Sequence, residues 1–210
     1  MNFDIKAIKE EQKKLAKKIL LKTEFDNVKY IAGIDNAYID NKIISVITVL
    51  NYETLELIEY KHSIGIPKTP HIPGFSSFRE VEFLMDAYNQ LEIKPDIIIV
   101  DGDGILHTKG LGIASHLGIL LELPTIGIST KINKGHVKKE RIIVNEQVKG
   151  YALKTRDKAL PIYVSPGHMI GLKKTLEITK KLLTGNKLPA PIHLAHKFAI
   201  KLKRQEKENK

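Results

Sequence analysis

Apolar residues recur along this 210-residue chain with two different periods. Near the start, Ile5, Ile8, Leu15 and Ile19 keep helical spacing inside a Lys- and Glu-rich stretch over 4–22, so residues 1–24 are expected to form a helix docked by one stripe. From Tyr30 the pattern changes. "YIAGIDNAYI", "KIISVITVLN" and "LELIEYKHS" are β-rich and separated by turn-forming Asp/Asn/Lys and Tyr/Glu/Thr segments, which predicts three antiparallel strands in a meander. A Pro- and Gly-containing loop over 64–76 then leads into "SFREVEFLMDAYNQL". There Phe78, Val81, Leu84, Met85, Tyr88 and Leu91 share one helical face.

"PDIIIVDGDG" follows, and its unbroken apolar run predicts a strand buried on both faces. "LGIASHLGILLEL" predicts a helix and "PTIGIS" a further short buried strand. Residues 130–165 are lysine-rich with weak strand signals ("RIIVN", "YALKT", "PIYVS"). Two helices over about 171–183 and 190–205 close the chain, with 204–210 expected to fray. No internal repeat or low-complexity linker interrupts the sequence, and its length suits a single domain over 1–210. Three hairpin-linked strands followed by helix, strand, helix and strand give an α/β fold. The order is that of an RNase H-like mixed sheet, three antiparallel strands followed by parallel ones, with helices on both faces.

Charge narrows the choice of partner. With 34 Lys+Arg against 24 Asp+Glu the chain carries a formal charge of +10, which favours a polyanionic ligand. The absence of cysteine excludes disulfides, thiolate metal sites and cysteine nucleophiles. The N-terminal segment is too broken by lysines to read as a signal peptide, and no stretch approaches the ~20 apolar residues of a membrane span. A monomer in a reduced, cytoplasmic compartment, without membrane attachment, is expected.

Three acids stand out against this background. Asp101 closes the buried strand, where ligands collect at the carboxyl ends of parallel strands. Asp35 sits among apolar residues of the first strand, where an unpaired charge is costly. Glu80 opens the intervening helix. Three such carboxylates brought to one edge would suit Mg²⁺ or Mn²⁺ and phosphodiester hydrolysis. Each has a plainer reading: Ser77 and Glu80 fit a capping box, Asp101-Gly102 fits a turn after a strand, and Asp35 beside Asn36 fits a turn as well.

Read together, "IAGIDNAY", "HIPGFSSFREV", "PDIIIVDGDGILHTKGLGIASHLGI", "PTIGIS" and "SPGH" resemble the blocks of the endonuclease V family, in order, over about 30–170. The closing "LPAPIHLAHKFA" is similar to that family's last helix. The resemblance implies a Mg²⁺-dependent hydrolase, for which Mn²⁺ can substitute. It would act in DNA repair, cutting the second phosphodiester 3′ to hypoxanthine and leaving 3′-OH and 5′-phosphate ends. It assigns Asp35, Glu80 and Asp101 to the metal, with His116 and His107 near the scissile phosphate. His196, Lys109 and Arg79 are assigned to the substrate. His71, Ile72, Pro73 and Gly74 would form a wedge beside an extruded base.

Two positions depart from the family pattern. His71 stands where the family has tyrosine, and Thr130 where it has lysine, with Lys131 one step later. Neighbouring strand residues face opposite sides, so Lys131 can take that lysine's place only where the strand has ended or bulges. An inosine-specific endoribonuclease, and a lesion-binding protein that cleaves weakly, remain alternative readings; DNA is the expected partner and RNA the other candidate.

Overall fold

The computed structural model describes residues 4–209. Asp4 caps the first helix, α1 (Ile5–Ala16), its carboxylate accepting the backbone N–H groups of Lys6 (2.8 Å) and Ala7 (3.2 Å). The helix ends at Ala16, shorter than the apolar spacing predicts; of the expected 1–24 segment, residues 1–3 lie outside the described residues. Tertiary bonds account for the early stop. The N–H of Leu20 donates to His168 Nδ1 (3.3 Å), and Thr23 Oγ1 accepts from the N–H of Gly171 (2.9 Å). Backbone drawn into such contacts is lost to helical pairing.

The expected meander is present as β1 (Tyr30–Ile39), β2 (Lys42–Asn51) and β3 (Leu57–Gly65). Then come α2 (Ser76–Asn89), β4 (Ile97–Asp101), α3 (Ile113–Leu121) and β5 (Thr125–Ser129). β4 runs parallel to β1 and β5 parallel to β4. The lysine-rich stretch forms more sheet than its weak signals suggest: β6 (His136–Lys138), β7 (Arg141–Val144), β8 (Gln147–Leu153) and β9 (Ile162–His168) are all antiparallel to their neighbours. The sheet order is β3-β2-β1-β4-β5-β9-β8-β7-β6. Positive φ at Lys139-Glu140 and Asn145-Glu146 closes the two tight hairpins of that arm. Two helices follow, α4 (Leu172–Lys181) and α5 (Ala190–Glu208).

Strand parity divides the core. Ile31, Ile97, Ile99, Ile126 and Ile128 pack with Ile178, Leu182 and Ile192, so α4 and α5 cover one face. Ala32, Ile34, Ile98 and Val100 pack with Leu84, Ala87 and Leu117, so α2 and α3 cover the other. Each fully buried isoleucine contributes about 1.5–3 kcal/mol. The segment expected to fray is helical to Glu208, since its Lys, Arg, Gln and Glu residues are good helix formers. Glu206 also pairs with Lys42 at 2.8 Å. Among the described residues no helix is long and apolar enough to cross a membrane.

α5 lies directly on the backbone of β1. A Cβ at Gly33 would stand 2.1 Å from the carbonyl carbon of Pro191, while Thr48 Oγ1 donates to Pro191 O at 2.9 Å. Gly33→Ala should therefore push the helix off the strand. The expected loss is roughly 3 kcal/mol, or about 8 °C in Tm, in a thermal melt followed by circular dichroism. An unchanged melt would show that the helix shifts at no cost.

Candidate active site

The parallel register sets the geometry of the site. Ile34 pairs with Val100, and the next residues along the two strands are Asp35 and Asp101. Both share strand parity with the residues that face α5, and their carboxyl groups hydrogen-bond to each other. Asp35 is only 7% exposed. Its Oδ1 accepts the N–H of Asn36 (2.8 Å), and its Oδ2 lies 2.7 Å from His196 Nδ1 on α5. Burial raises the pKa of Asp35, and the bond and charge of His196 hold it back. Asp101 is pushed up from 3.8 to about 7, first by burial and then by the charge of Asp35, against smaller opposing effects of His196 and Lys187.

Glu80 is at this end of the sheet on different partners. The capping box does not form: Phe75 is the N-cap and makes no side-chain cap bond, while Ser77 is buried. Glu80 instead accepts from Asn36 Nδ2 (3.2 Å) and from the Tyr38 phenol, and Asn36 Oδ1 accepts from Ser45 Oγ (2.6 Å). Burial raises the pKa of Glu80, opposed by Tyr38, Asn36 and Arg79. Burial, then the charge of Glu80, raises that of Tyr38 as well, so the phenol stays a donor. Asn36 and Tyr38 have the opposite strand parity to Asp35. Glu80 thus has partners other than Asp35 and Asp101, and among the described residues no three His, Asp or Glu side chains are grouped closely enough to hold a metal.

Asp35 and Asp101 by themselves fit a divalent cation. They are adjacent hard-oxygen donors that share a proton in its absence, with a buried like-charge repulsion that a cation would relieve. Glu80 fits an outer position, through Asn36 and Tyr38.

The remaining expected residues separate into groups. His71 and Pro73 are exposed, Ile72 and Gly74 half-buried. A turn closes with the N–H of Phe75 on Ile72 O (3.0 Å), and Gly74 adopts φ +83°. Arg79 is half-buried beside Glu80, and its Nε has no hydrogen-bond partner among the described residues. His116 lies between α2 and α3. It is 4% exposed, with Nδ1 3.2 Å from Ser77 Oγ and its ring 4.6 Å from that of Phe78. Burial lowers its pKa to about 4, which favours the neutral ring. His107 lies in the β4–α3 loop, its Nδ1 accepting the N–H of exposed Lys109 (3.3 Å). Burial lowers its pKa while Asp103 opposes this. His196 is better placed than expected, directly on Asp35.

Lys131 meets its condition. β5 ends at Ser129, and Thr130 and Lys131 lie exposed in a bend where Ser129 Oγ donates to Lys131 O (2.8 Å). Two contributors were not foreseen. Gln12, buried on α1, donates through Nε2 to Gly74 O (2.9 Å) and ties the wedge loop to the first helix. Lys187, in the turn before α5, acts electrostatically on Asp101. A glutamine on the buried stripe of an otherwise charged helix is the one signal that pointed to the former.

Comparison with known proteins identifies the family of the chain. The family model described as Endonuclease V matches residues 13–197. Endonuclease V of Dictyoglomus thermophilum is 40% identical over 198 residues, covering 90% of this chain and 87% of its own length. The crystal structure of endonuclease V from Bacillus subtilis superposes with a TM-score of 0.92 at 30% identity, covering 100% of this chain and 96% of that one. Ciona intestinalis endonuclease V, in complex with a 24mer DNA containing an inosine followed by a ribo-adenosine, gives a TM-score of 0.87 at 26% identity, covering 96% and 98%.

The raised pKa of Asp101 has a consequence for stability. Between pH about 4 and about 7 the metal-free fold binds a proton that the unfolded chain has released, so stability falls as pH rises through that window. Asp101→Asn should flatten this slope and stabilise the metal-free protein at pH 8 by on the order of 2 kcal/mol. Mg²⁺ at pH 8 should raise the Tm of the wild type and leave that of Asp101→Asn unmoved. An identical pH slope in both proteins would place the buried proton elsewhere.

Proposed function

This chain belongs to the endonuclease V family, and we propose that it nicks inosine-containing nucleic acid with a divalent cation, Mg²⁺ by preference, held by Asp35 and Asp101. The bond cut is the second phosphodiester 3′ to the lesion, and DNA is the substrate. The observation that carries this reading is the buried Asp35–Asp101 pair, one acid within β1 and the other at the carboxyl end of the parallel strand β4, with His196 2.7 Å from Asp35. The solved complex of the Ciona relative with inosine-containing DNA supports the choice of substrate.

When bound, the cation would supply Lewis acidity at a phosphate oxygen and lower the pKa of a water. The protein's own groups do the rest. Asp35, as a carboxylate, accepts from His196 Nδ1–H, which holds the half-exposed ring against the site. Glu80 orients through Asn36 and Tyr38 without joining the Asp35–Asp101 pair. Arg79, half-buried beside Glu80, offers positive charge to phosphate, and Lys131 offers a second cation from its exposed bend.

The wedge reading rests on the turn over residues 71–74. It projects a histidine and a proline, is tied from behind by Gln12, and is backed by Phe75 and Phe78 with ring centroids 6.5 Å apart. An extruded base would stack against such groups at about 1–3 kcal/mol per base. Imidazole offers less face than phenol, so His71→Tyr should tighten binding to an inosine-containing strand severalfold in fluorescence anisotropy; unchanged affinity would move the wedge to Ile72 and Pro73.

The decisive assay is a denaturing gel of one inosine-containing strand, in DNA and RNA versions, with and without Mg²⁺. Cleavage of the DNA strand one nucleotide beyond inosine's 3′ neighbour bond, only with Mg²⁺, is expected. Stronger cleavage of the RNA version would favour the endoribonuclease. Asp35→Ala and Asp101→Ala should each lower turnover by more than about 1,000-fold while retaining binding; undiminished nicking by either would remove the metal assignment. Lys131→Ala should lose at least about tenfold and Thr130→Lys gain little. The reverse pattern would show that the family's lysine is simply missing here.

A further inference from the structure

We propose that the β8–β9 loop over residues 154–161, together with His193 and Lys197 of α5, binds the strand on the 3′ side of the cut through its phosphates, with Leu160 packing on a sugar or base. The inference rests on the endonuclease reading and extends it to a second nucleic-acid surface.

Register places this loop beside the site. Asp101 pairs with Ile128, Ser129 with Tyr163, and Leu153 with Ile162, so the loop joining β8 to β9 leaves the sheet at the same edge as the two carboxylates. Its sequence, "KTRDKALP", exposes Lys154, Arg156 and Lys158. The only acid within it, Asp157, lies 3.7 Å from Lys154. Thr155 Oγ1 donates to Lys187 O at 2.9 Å, which anchors the loop to the turn that precedes α5 and carries the lysine acting on Asp101. Leu160 is 74% exposed, the most exposed large apolar side chain among the described residues.

α5 continues the same surface. His193, His196 and Lys197 fall at i, i+3 and i+4 on one helical face, and His196 is the residue that touches Asp35. Burial lowers the pKa of His193, and Lys197, His196 and Arg156 lower it further, as expected when positive groups from helix and loop crowd together. Like charges gathered this way repel at helical spacing, and a polyanion laid across them removes the repulsion.

Direction follows from the two faces of the sheet. The 71–74 turn leads into α2, which packs on one face, whereas α5 packs on the other, the face towards which the two carboxylates are aimed. The cut lies 3′ to the lesion. A strand whose lesion is held at the α2 side and whose scissile phosphate is at the edge therefore continues, 3′, onto α5 and the 154–161 loop.

The test uses the full-length protein in EDTA and two inosine-containing DNA strands, with two or ten nucleotides beyond the cut, in anisotropy titrations over a range of salt. Wild type should bind the longer strand at least about tenfold more tightly. Lys154→Ser/Arg156→Ser/Lys158→Ser/Leu160→Ser should lose that preference, with its salt slope on the longer strand lowered by about 2, as expected for three phosphate contacts to a single strand. All four side chains are exposed, and a wild-type melting curve will confirm that the variant is folded. Asp35→Ala should keep the length preference, which separates this surface from the cutting site. A variant that retains the full preference and salt slope, or a wild type indifferent to length, overturns the inference. Failure of the endonuclease reading shows differently, as wild type that leaves the inosine strand uncut with Mg²⁺ and binds it no better than an adenine strand.

Discussion

The parallel pairing of β1 with β4 forces two carboxylates into contact, and much of the surrounding structure answers that constraint. Unit charges about 4 Å apart repel by ~4 kcal/mol at an effective dielectric of about 20. Neither residue can turn away, because strand parity aims both towards α5. The protein alone relieves the repulsion in two ways, by leaving Asp101 protonated near neutrality and by setting His196 against Asp35. Both are incomplete. A divalent cation held by the two carboxylates would relieve the repulsion that is left.

Seating that histidine requires α5 to lie close to β1, and the closeness is provided two residues earlier. Gly33 leaves room for the backbone at Pro191, and Thr48 fastens the same carbonyl. From Gly33 to Asp35 the strand advances ~6.6 Å, and from Pro191 to His196 the helix advances ~7.5 Å, so strand and helix rise in step and the contact at one position fixes the other. A glycine in the middle of a buried strand therefore serves the site, although no charge of its own reaches it.

The strands were legible because their signals are local. Period-two and unbroken apolar runs marked β1 to β5 closely; the carboxyl end of a parallel strand pointed to Asp101, and an acid amid apolar strand residues to Asp35. Glu80 was harder to read: a Ser-x-x-Glu spacing is the same whether the glutamate bonds backwards to its own helix or outwards to Asn36 and Tyr38, and only the approach of β1 to α2 decides. His116 was hard to read for a related reason. A histidine amid "IASHLGILL" carries the same letters whether it faces phosphate or Phe78, and burial made the choice. The early end of α1 and the helical C-terminus were likewise set by distant partners, His168 and Lys42.

Family resemblance and geometry meet most usefully where the sequence departs from the pattern. Had β5 continued through Thr130, Lys131 would have faced away from its expected side. The strand stops at Ser129, whose hydroxyl bonds the backbone of residue 131 in both directions, donating to its carbonyl and accepting its N–H at 3.3 Å. That turn removes the alternation that would have committed the lysine to one face, leaving a flexible cation on an exposed bend of the same edge as Asp101. A lysine acts as a mobile point charge and tolerates a shift of one position where a bidentate arginine would not. The two carboxylates have no such latitude, since their positions are fixed by the hydrogen-bond ladder itself.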